Sequence, residues 1–151
     1  MPPRNIKWNF TEFDKLQAGD LYKALKLRQD IFIIEQDCIY PDLDNVDYHS
    51  FHLLGYSGDT LAAYLRVVPP GTIFTEPSLG RIIVAREYRK TGIGSELVKR
   101  GIKHTHQLYN LCPIRIEAQA HLRKFYQGLG FSKVTDAYEK DGIPHIQMLL
   151  N

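Results

Sequence analysis

Apolar residues at Leu21, Ala24, Leu25, Leu27, Ile31 and Phe32 recur at roughly helical spacing. They predict a helix capped by Asp20 and running to about Ile34-Glu35-Gln36, with room for a break. A short strand from Trp8 to Phe13 precedes it. Pro41 to Asp47 reads as an acidic loop, and two strands follow, His52 to Tyr56 and Leu61 to Val68, with Gly58-Asp59 as their turn. Another strand runs from Leu79 to Val84. From Ile93 the helical period returns. Ile93, Leu97, Val98, Ile102, Thr105 and Leu108 share one face and Glu96, Lys99, Arg100 and Lys103 the other, until Cys112-Pro113 breaks the pattern. Ile114 to Ala118 alternates as a strand. Leu122, Phe125, Tyr126 and Leu129 then mark a short helix that Gly130 closes as a left-handed cap. Lys133 to Glu139 and His145 to Leu150 are the last strands, turned at Asp141-Gly142.

The order is strand, helix, two or three strands, helix, strand, helix, hairpin. This is an α/β or α+β layer, with helices packed on a mixed sheet. A length of 151 residues suits one domain, 1–151, and leaves little room for a second. A dinucleotide-binding doubly wound fold is disfavoured. The glycine signal comes mid-chain after antiparallel-looking strands and lacks the third glycine of that fingerprint.

Composition narrows the class. Hydrophobic and charged fractions of 44% and 24% are those of an ordinary soluble globular protein. No apolar run has the length of a membrane span, and Met1 to Trp8 lacks the apolar stretch of a secretion signal. Cys38 and Cys112 are too few for a disulfide framework, so the expected location is the cytoplasm. The net charge of +2 hides an asymmetry. Gln29 to Leu65 holds seven acids and no Lys or Arg, whereas Arg66 to Asn151 holds thirteen Lys and Arg against seven acids. The second half suits an anionic ligand, and the first half suits a cation.

The most informative stretch is Arg89-Lys90-Thr91-Gly92-Ile93-Gly94, between the strand Leu79–Val84 and the helix from Ile93. Glycines let the backbone approach a ligand closely. Amides at the helix start then point at an anion that the helix dipole favours. Arg89 and Lys90 add full charges at the rim, so a diphosphate-bearing cofactor is the candidate ligand. His104 and His106 are two apart and do not share a helix face, and neither cysteine sits in a Cys/His constellation, so no metal is expected. Basic residues cluster at the glycine turn without interleaved aromatics, which gives no support for nucleic-acid binding.

Arg89-x-x-Gly92-x-Gly94 between strand and helix resembles the acetyl-CoA motif of the GNAT N-acetyltransferases, [RQ]-x-x-G-x-[GA]. Ala118 to Phe131 resembles that family's second motif, a helix carrying Phe-Tyr that ends in Gly-Phe. Leu27-Arg28-x-x-Ile31-Phe32-x-x-Glu35-Gln36, Tyr40-Pro41-Asp42, Ala118-Gln119-Ala120-His121 and Asp141-Gly142-Ile143-Pro144-His145 are similar to the ElaA-type branch, and extend the match over nearly the whole chain. The resemblance implies a GNAT fold: a mixed, mostly antiparallel central sheet of six to seven strands with helices on both faces. It also implies transfer of acetyl from acetyl-CoA to a primary amine, on a small molecule or a protein, by direct attack. It allows a homodimer and calls for neither membrane nor metal.

On these positions the resemblance assigns roles. Backbone amides from Arg89 to Ser95, including Gly92, Ile93 and Gly94, would hold the diphosphate, with charge from Arg89 and Lys90. The backbone of Ile82, Ile83 and Val84 would pair with the pantetheine arm and polarise the thioester carbonyl. Their side chains suit the core. Tyr126 matches the family tyrosine that protonates the departing thiolate, since a phenol stays protonated at neutral pH. Gln119 stands where many members carry Asn, on the cofactor side. Glu35 and His121 are the expected acceptor contacts, and Asp42 and Asp44 are further carboxylates for a cationic amine. Glu35, Glu117, His52, His121 and His145 all remain open as general base, as does water. A non-catalytic acetyl-CoA-binding module and an enzyme using another acyl donor, as in acyl-homoserine lactone synthases, are the alternatives.

Overall fold

A computed structural model describes residues 5–151. The first four residues, part of the stretch read for a secretion signal, lie outside it. The chain forms one eight-stranded sheet in the order β1-β2-β3-β4-β5-β8-β6, with β7 pairing β8 beside β6. The strands are β1 (Lys7–Glu12), β2 (Phe51–Ser57), β3 (Thr60–Val68), β4 (Ser78–Val84), β5 (Ile114–Gln119), β6 (Ser132–Lys133), β7 (Tyr138–Lys140) and β8 (Ile143–Leu150). All pair antiparallel except β4 and β5. The eighth strand comes from division of the expected Lys133–Glu139 strand. Gln147 N–H bonds the Thr135 hydroxyl at 2.9 Å instead of a backbone carbonyl, and the ladder lapses between β6 and β7.

β3 is buried along most of its length, and its neighbours face opposite layers. Leu65 and Val67 join the larger core with α2 (Ile93–Tyr109), through Leu97 and Val98. Tyr64 joins Ala24, Ile31 and Leu54 in a second cluster under α1 (Ala18–Arg28). Helices therefore cover both faces. On α2 the buried stripe is Ile93, Leu97, Val98, Gly101 and Thr105, while Leu108 is exposed. At Gly101 a Cβ would lie 2.8 Å from Leu65 Cδ2, so the absence of a side chain brings helix and sheet together.

α1 begins at Ala18, earlier than expected, with Gln17 as its cap. Asp20 thus falls in the first turn, where its carboxylate accepts from Tyr56 Oη. After Arg28 the helix widens into π-helical turns over Gln29–Glu35. Such turns re-aim side chains relative to an α-helix and are frequent at functional sites. α3 (Arg123–Gln127) is short, and the chain leaves it through Gly130 at φ 102°.

Candidate active site

β4 and β5 are adjacent but pair only at Ser78–Arg115. Beyond that point they diverge, and the sheet opens into a cavity of about 930 Å³. The opening is reinforced by a bulge in β4. Tyr64 faces Ile83 and Arg66 faces Gly80, so Arg81 and Ile82 together oppose Leu65. Arg81 takes φ 50°, which a residue with a side chain adopts only when its surroundings hold it there.

Two salt bridges and a hydrogen bond to a backbone carbonyl supply that hold. Arg81 Nε lies 2.8 Å from Asp42 Oδ1, and Arg81 Nη2 donates to the Asp42 carbonyl at 2.8 Å and to Asp44 Oδ2 at 3.3 Å. Beneath them Arg28 reaches Asp42 at 2.9 Å and Asp47 at 2.8 Å. Arg66 reaches Asp44 at 2.7 Å and Asp47 at 2.9 Å. Arg28 and Arg66 are each 1% exposed, so these charges share a low-dielectric interior in which pairing is obligatory. Burial alone would raise the pKa of Asp44, yet Arg66 and Arg81 outweigh it and hold the group at about 2. Asp47 is likewise kept low against its burial by Arg28 and Arg66. The expectation that Asp42 and Asp44 serve a cationic amine is therefore corrected: both carboxylates are matched to arginines and clamp the 37–50 loop to the sheet.

His52 also leaves the set of bases. It is buried behind the cluster, with Nε2 3.0 Å from the Asp47 carbonyl and Nδ1 2.7 Å from Tyr64 Oη. A carbonyl only accepts, so Nε2 donates and Nδ1 accepts the phenol's proton. Burial pushes its pKa down, which favours this neutral form. Glu117 lines the cavity but accepts from Tyr138 Oη at 2.5 Å and from the Lys140 ammonium. Burial works against its charge, and these two donors nonetheless hold its pKa below the usual range. An ionised, doubly bonded carboxylate is a poor base.

Most of the other expected residues do meet around the cavity. Ile82, Ile83 and Val84 form its β4 wall, and Arg89, Lys90, Gly92, Gly94 and Ser95 its rim. Tyr126, Gln119, His121 and Glu35 complete it. Ile93 does not line it. Its side chain is buried in the core, so only its backbone faces the turn. Gly92 sits at φ 88° as the residue preceding α2, a conformation costly for any side chain, and no side chain caps the helix amides there. Tyr126 is 5% exposed, and burial pushes its phenol pKa up, keeping the hydroxyl protonated. Gln119 Nε2 donates to Gln36 Oε1 across the cavity at 3.2 Å. Arg89 is already engaged. Its Nη2 lies 2.8 Å from Glu35 Oε2, and its Nε donates to the Val84 carbonyl at 3.2 Å.

Residue-type reasoning missed Arg28, Arg66 and Arg81 as a unit. The signal was present: a run of acids without Lys or Arg, ended by an arginine inside an otherwise apolar strand. No group of three or more His, Cys, Asp or Glu side chains able to hold a metal occurs among the described residues. No helix among them is long and apolar enough to cross a membrane.

A splayed mixed sheet with a glycine turn at the mouth of the splay defines a class, and comparison with known proteins agrees. A model of the acetyltransferase (GNAT) domain matches residues 31–151, and the chain belongs to that family. It is 37% identical over 145 residues to protein ElaA of Escherichia coli, covering 95% of each chain. It is 39% identical to a UPF0039 protein of Synechocystis, covering 95% of this chain and 94% of the relative. The crystal structure of Escherichia coli ElaA superposes with a TM-score of 0.92 at 35% identity, over 97% of this chain and all (100%) of that one. An acyl-CoA N-acyltransferase from Pseudomonas aeruginosa gives a TM-score of 0.92 at 32% identity over 97% of this chain and 100% of its own.

Proposed function

We propose that the protein transfers an acetyl group from acetyl-CoA to a primary amine by direct attack. The observation that carries this reading is the splay: β4 pairs with β5 only at Ser78, so its edge from Gly80 to Val84 borders the cavity that Tyr126 and the Arg89–Ser95 turn also line. The fit to an acyl-CoA is physical. Gly92 at φ 88° brings the backbone round without a Cβ, and the first amides of α2 have no side-chain cap. The Arg89 guanidinium at the cavity rim already binds one anion, the Glu35 carboxylate, and would suit a phosphate oxygen equally. The Pseudomonas neighbour is described as an acyl-CoA N-acyltransferase, which supports the same donor class.

Bound acetyl-CoA supplies an activated thioester. Backbone groups of Ile82 and Ile83 orient the pantetheine arm and polarise the thioester carbonyl, while Arg89 to Ser95 hold the phosphates. Gln119, tied to Gln36, holds the floor between the β4 and β5 ends. Tyr126 donates its phenolic proton to the leaving sulfur, and the proton lost by the attacking nitrogen restores it. Glu35, His121 and His145 line the cavity and are the remaining side-chain bases once His52 and Glu117 are set aside. The buried Tyr126 hydroxyl at the cavity favours turnover over a purely binding module.

Calorimetry with acetyl-CoA on the wild type and on Gly92→Glu tests the reading. Micromolar binding, lost in the variant, is expected. Absence of binding by the folded wild type rules the reading out. A series of longer-chain acyl-CoA donors, assayed by thiol release with a panel of primary amines, decides the acyl group.

A further inference from the structure

Glu35 ends the π-helical turns on one wall of the cavity, and Arg89 stands on the other. The two carboxylate oxygens have different partners. Oε1 faces Arg86, with Nη2 at 3.1 Å and Nε at 3.2 Å, whereas Oε2 faces Arg89 Nη2 at 2.8 Å. Arg86 is 75% exposed in its side chain. Arg89, 39% exposed, is the guanidinium at the cofactor rim. Its hydrogen bond is the largest influence lowering the pKa of Glu35, followed on the same side by Arg86.

Resting on the acyl-donor reading above, we propose that Glu35 is the ammonium-binding carboxylate for a cationic amine acceptor, held by Arg89 until the donor's diphosphate takes that guanidinium and frees Oε2. The exchange is of one anion for another. A diphosphate carries more charge than a carboxylate and offers bidentate oxygens to a guanidinium, so Arg89 moves to it. Oε1 stays with Arg86, which keeps the carboxylate in place. Oε2 is then an ionised acceptor without a donor, on the wall of the cavity beside Gln36. Two of the other carboxylates that line the cavity are already held: Asp44 by Arg66 and Arg81, and Glu117 by Tyr138 and Lys140. The amine site is thus completed by cofactor loading, and an acceptor meets its counter-charge only when a thioester is there to react with.

Calorimetry with coenzyme A tests the first half. Glu35→Gln removes the internal competitor and should tighten coenzyme A about two- to fivefold, the range expected for loss of one exposed ion pair. In an Arg89→Gln background the same change should give no gain. Spermidine titrated into coenzyme A-saturated protein tests the second half. It should bind the loaded wild type, bind the free protein at least threefold more weakly, and lose its binding to loaded Glu35→Gln. Unchanged or weaker coenzyme A binding by Glu35→Gln overturns the exchange, as does equal spermidine binding to loaded wild type and variant. Failure of the wild type to bind coenzyme A at all strikes down the donor reading itself, and the exchange with it.

Discussion

Two clusters of arginine and carboxylate border this cavity, and they do opposite work. Under the 37–50 loop, Arg28, Arg66 and Arg81 are matched to Asp42, Asp44 and Asp47 in a setting where Arg28 and Arg66 are 1% exposed. At the mouth, Arg86 and Arg89 share Glu35 in contact with solvent. The chemistry of the pairs is the same, and the dielectric is not. A buried partner removed leaves an uncompensated charge, whereas an exposed partner removed is replaced by water. The first cluster can only be architecture. It fixes the left-handed Arg81 and with it the β4 bulge that opens the sheet. The second can exchange partners, which is what a binding site needs.

Breaking the buried cluster gives the largest effect. Asp47→Ala strips Arg28 and Arg66 of a shared partner and should cost about 3–5 kcal/mol in urea unfolding. A loss below about 1 kcal/mol would place that cluster in the same class as the mouth.

Next is Tyr126→Phe, which leaves both clusters whole. Turnover should fall by about 10²- to 10⁴-fold with coenzyme A affinity and stability nearly unchanged, measured by steady-state kinetics and calorimetry. The hydroxyl has no hydrogen-bond partner among the described residues, so its loss is not a structural wound. Retained turnover would remove Tyr126 from proton transfer.

Acid sharpens the contrast by degree. Asp44 has a folded-state pKa of about 2, below its usual 3.8. The unfolded chain therefore binds the proton first, and the stability Asp44 contributes is complete above about pH 4 and is lost as the pH falls towards 2. Asp47 is shifted in the same direction and adds to this loss. Circular dichroism between pH 5 and 2 should show stability declining in that window, and Asp44→Asn should flatten the decline.

Glu35→Gln is the smallest change to the fold. An exposed pair is worth about 0–1 kcal/mol, so its unfolding midpoint should stay within that range of the wild type while coenzyme A binding tightens. A strongly destabilised Glu35→Gln protein would erase the distinction between the two clusters.

How much of this was legible in the residues varies by element. The strand, glycine turn and helix at 79–94 are local, and one stretch of sequence carries the period, the glycines and the charges. The 118–131 segment is legible for the same reason. The breaks in regularity were not. Whether Lys133 to Glu139 is one strand or two depends on Thr135 competing for the Gln147 amide, a contact made across the sheet. The site divides in the same way. Positions on the cofactor side follow from a motif, and all but the Ile93 side chain meet at the cavity. The acids of the loop look alike in sequence, and only their arginine partners tell them apart.

By itself, the sequence determined the layer class, the place of the glycine turn and the presence of a tyrosine helix after the fifth strand, because periodicity and turn chemistry are short-range. Only the tertiary structure decided which carboxylates are locked and which can exchange. Asp42, Asp44 and Asp47 differ from Glu35 in the arginines they meet, buried Arg28 and Arg66 in one case and exposed Arg86 and Arg89 in the other, and the access of water to those charges is fixed by segments distant in the chain.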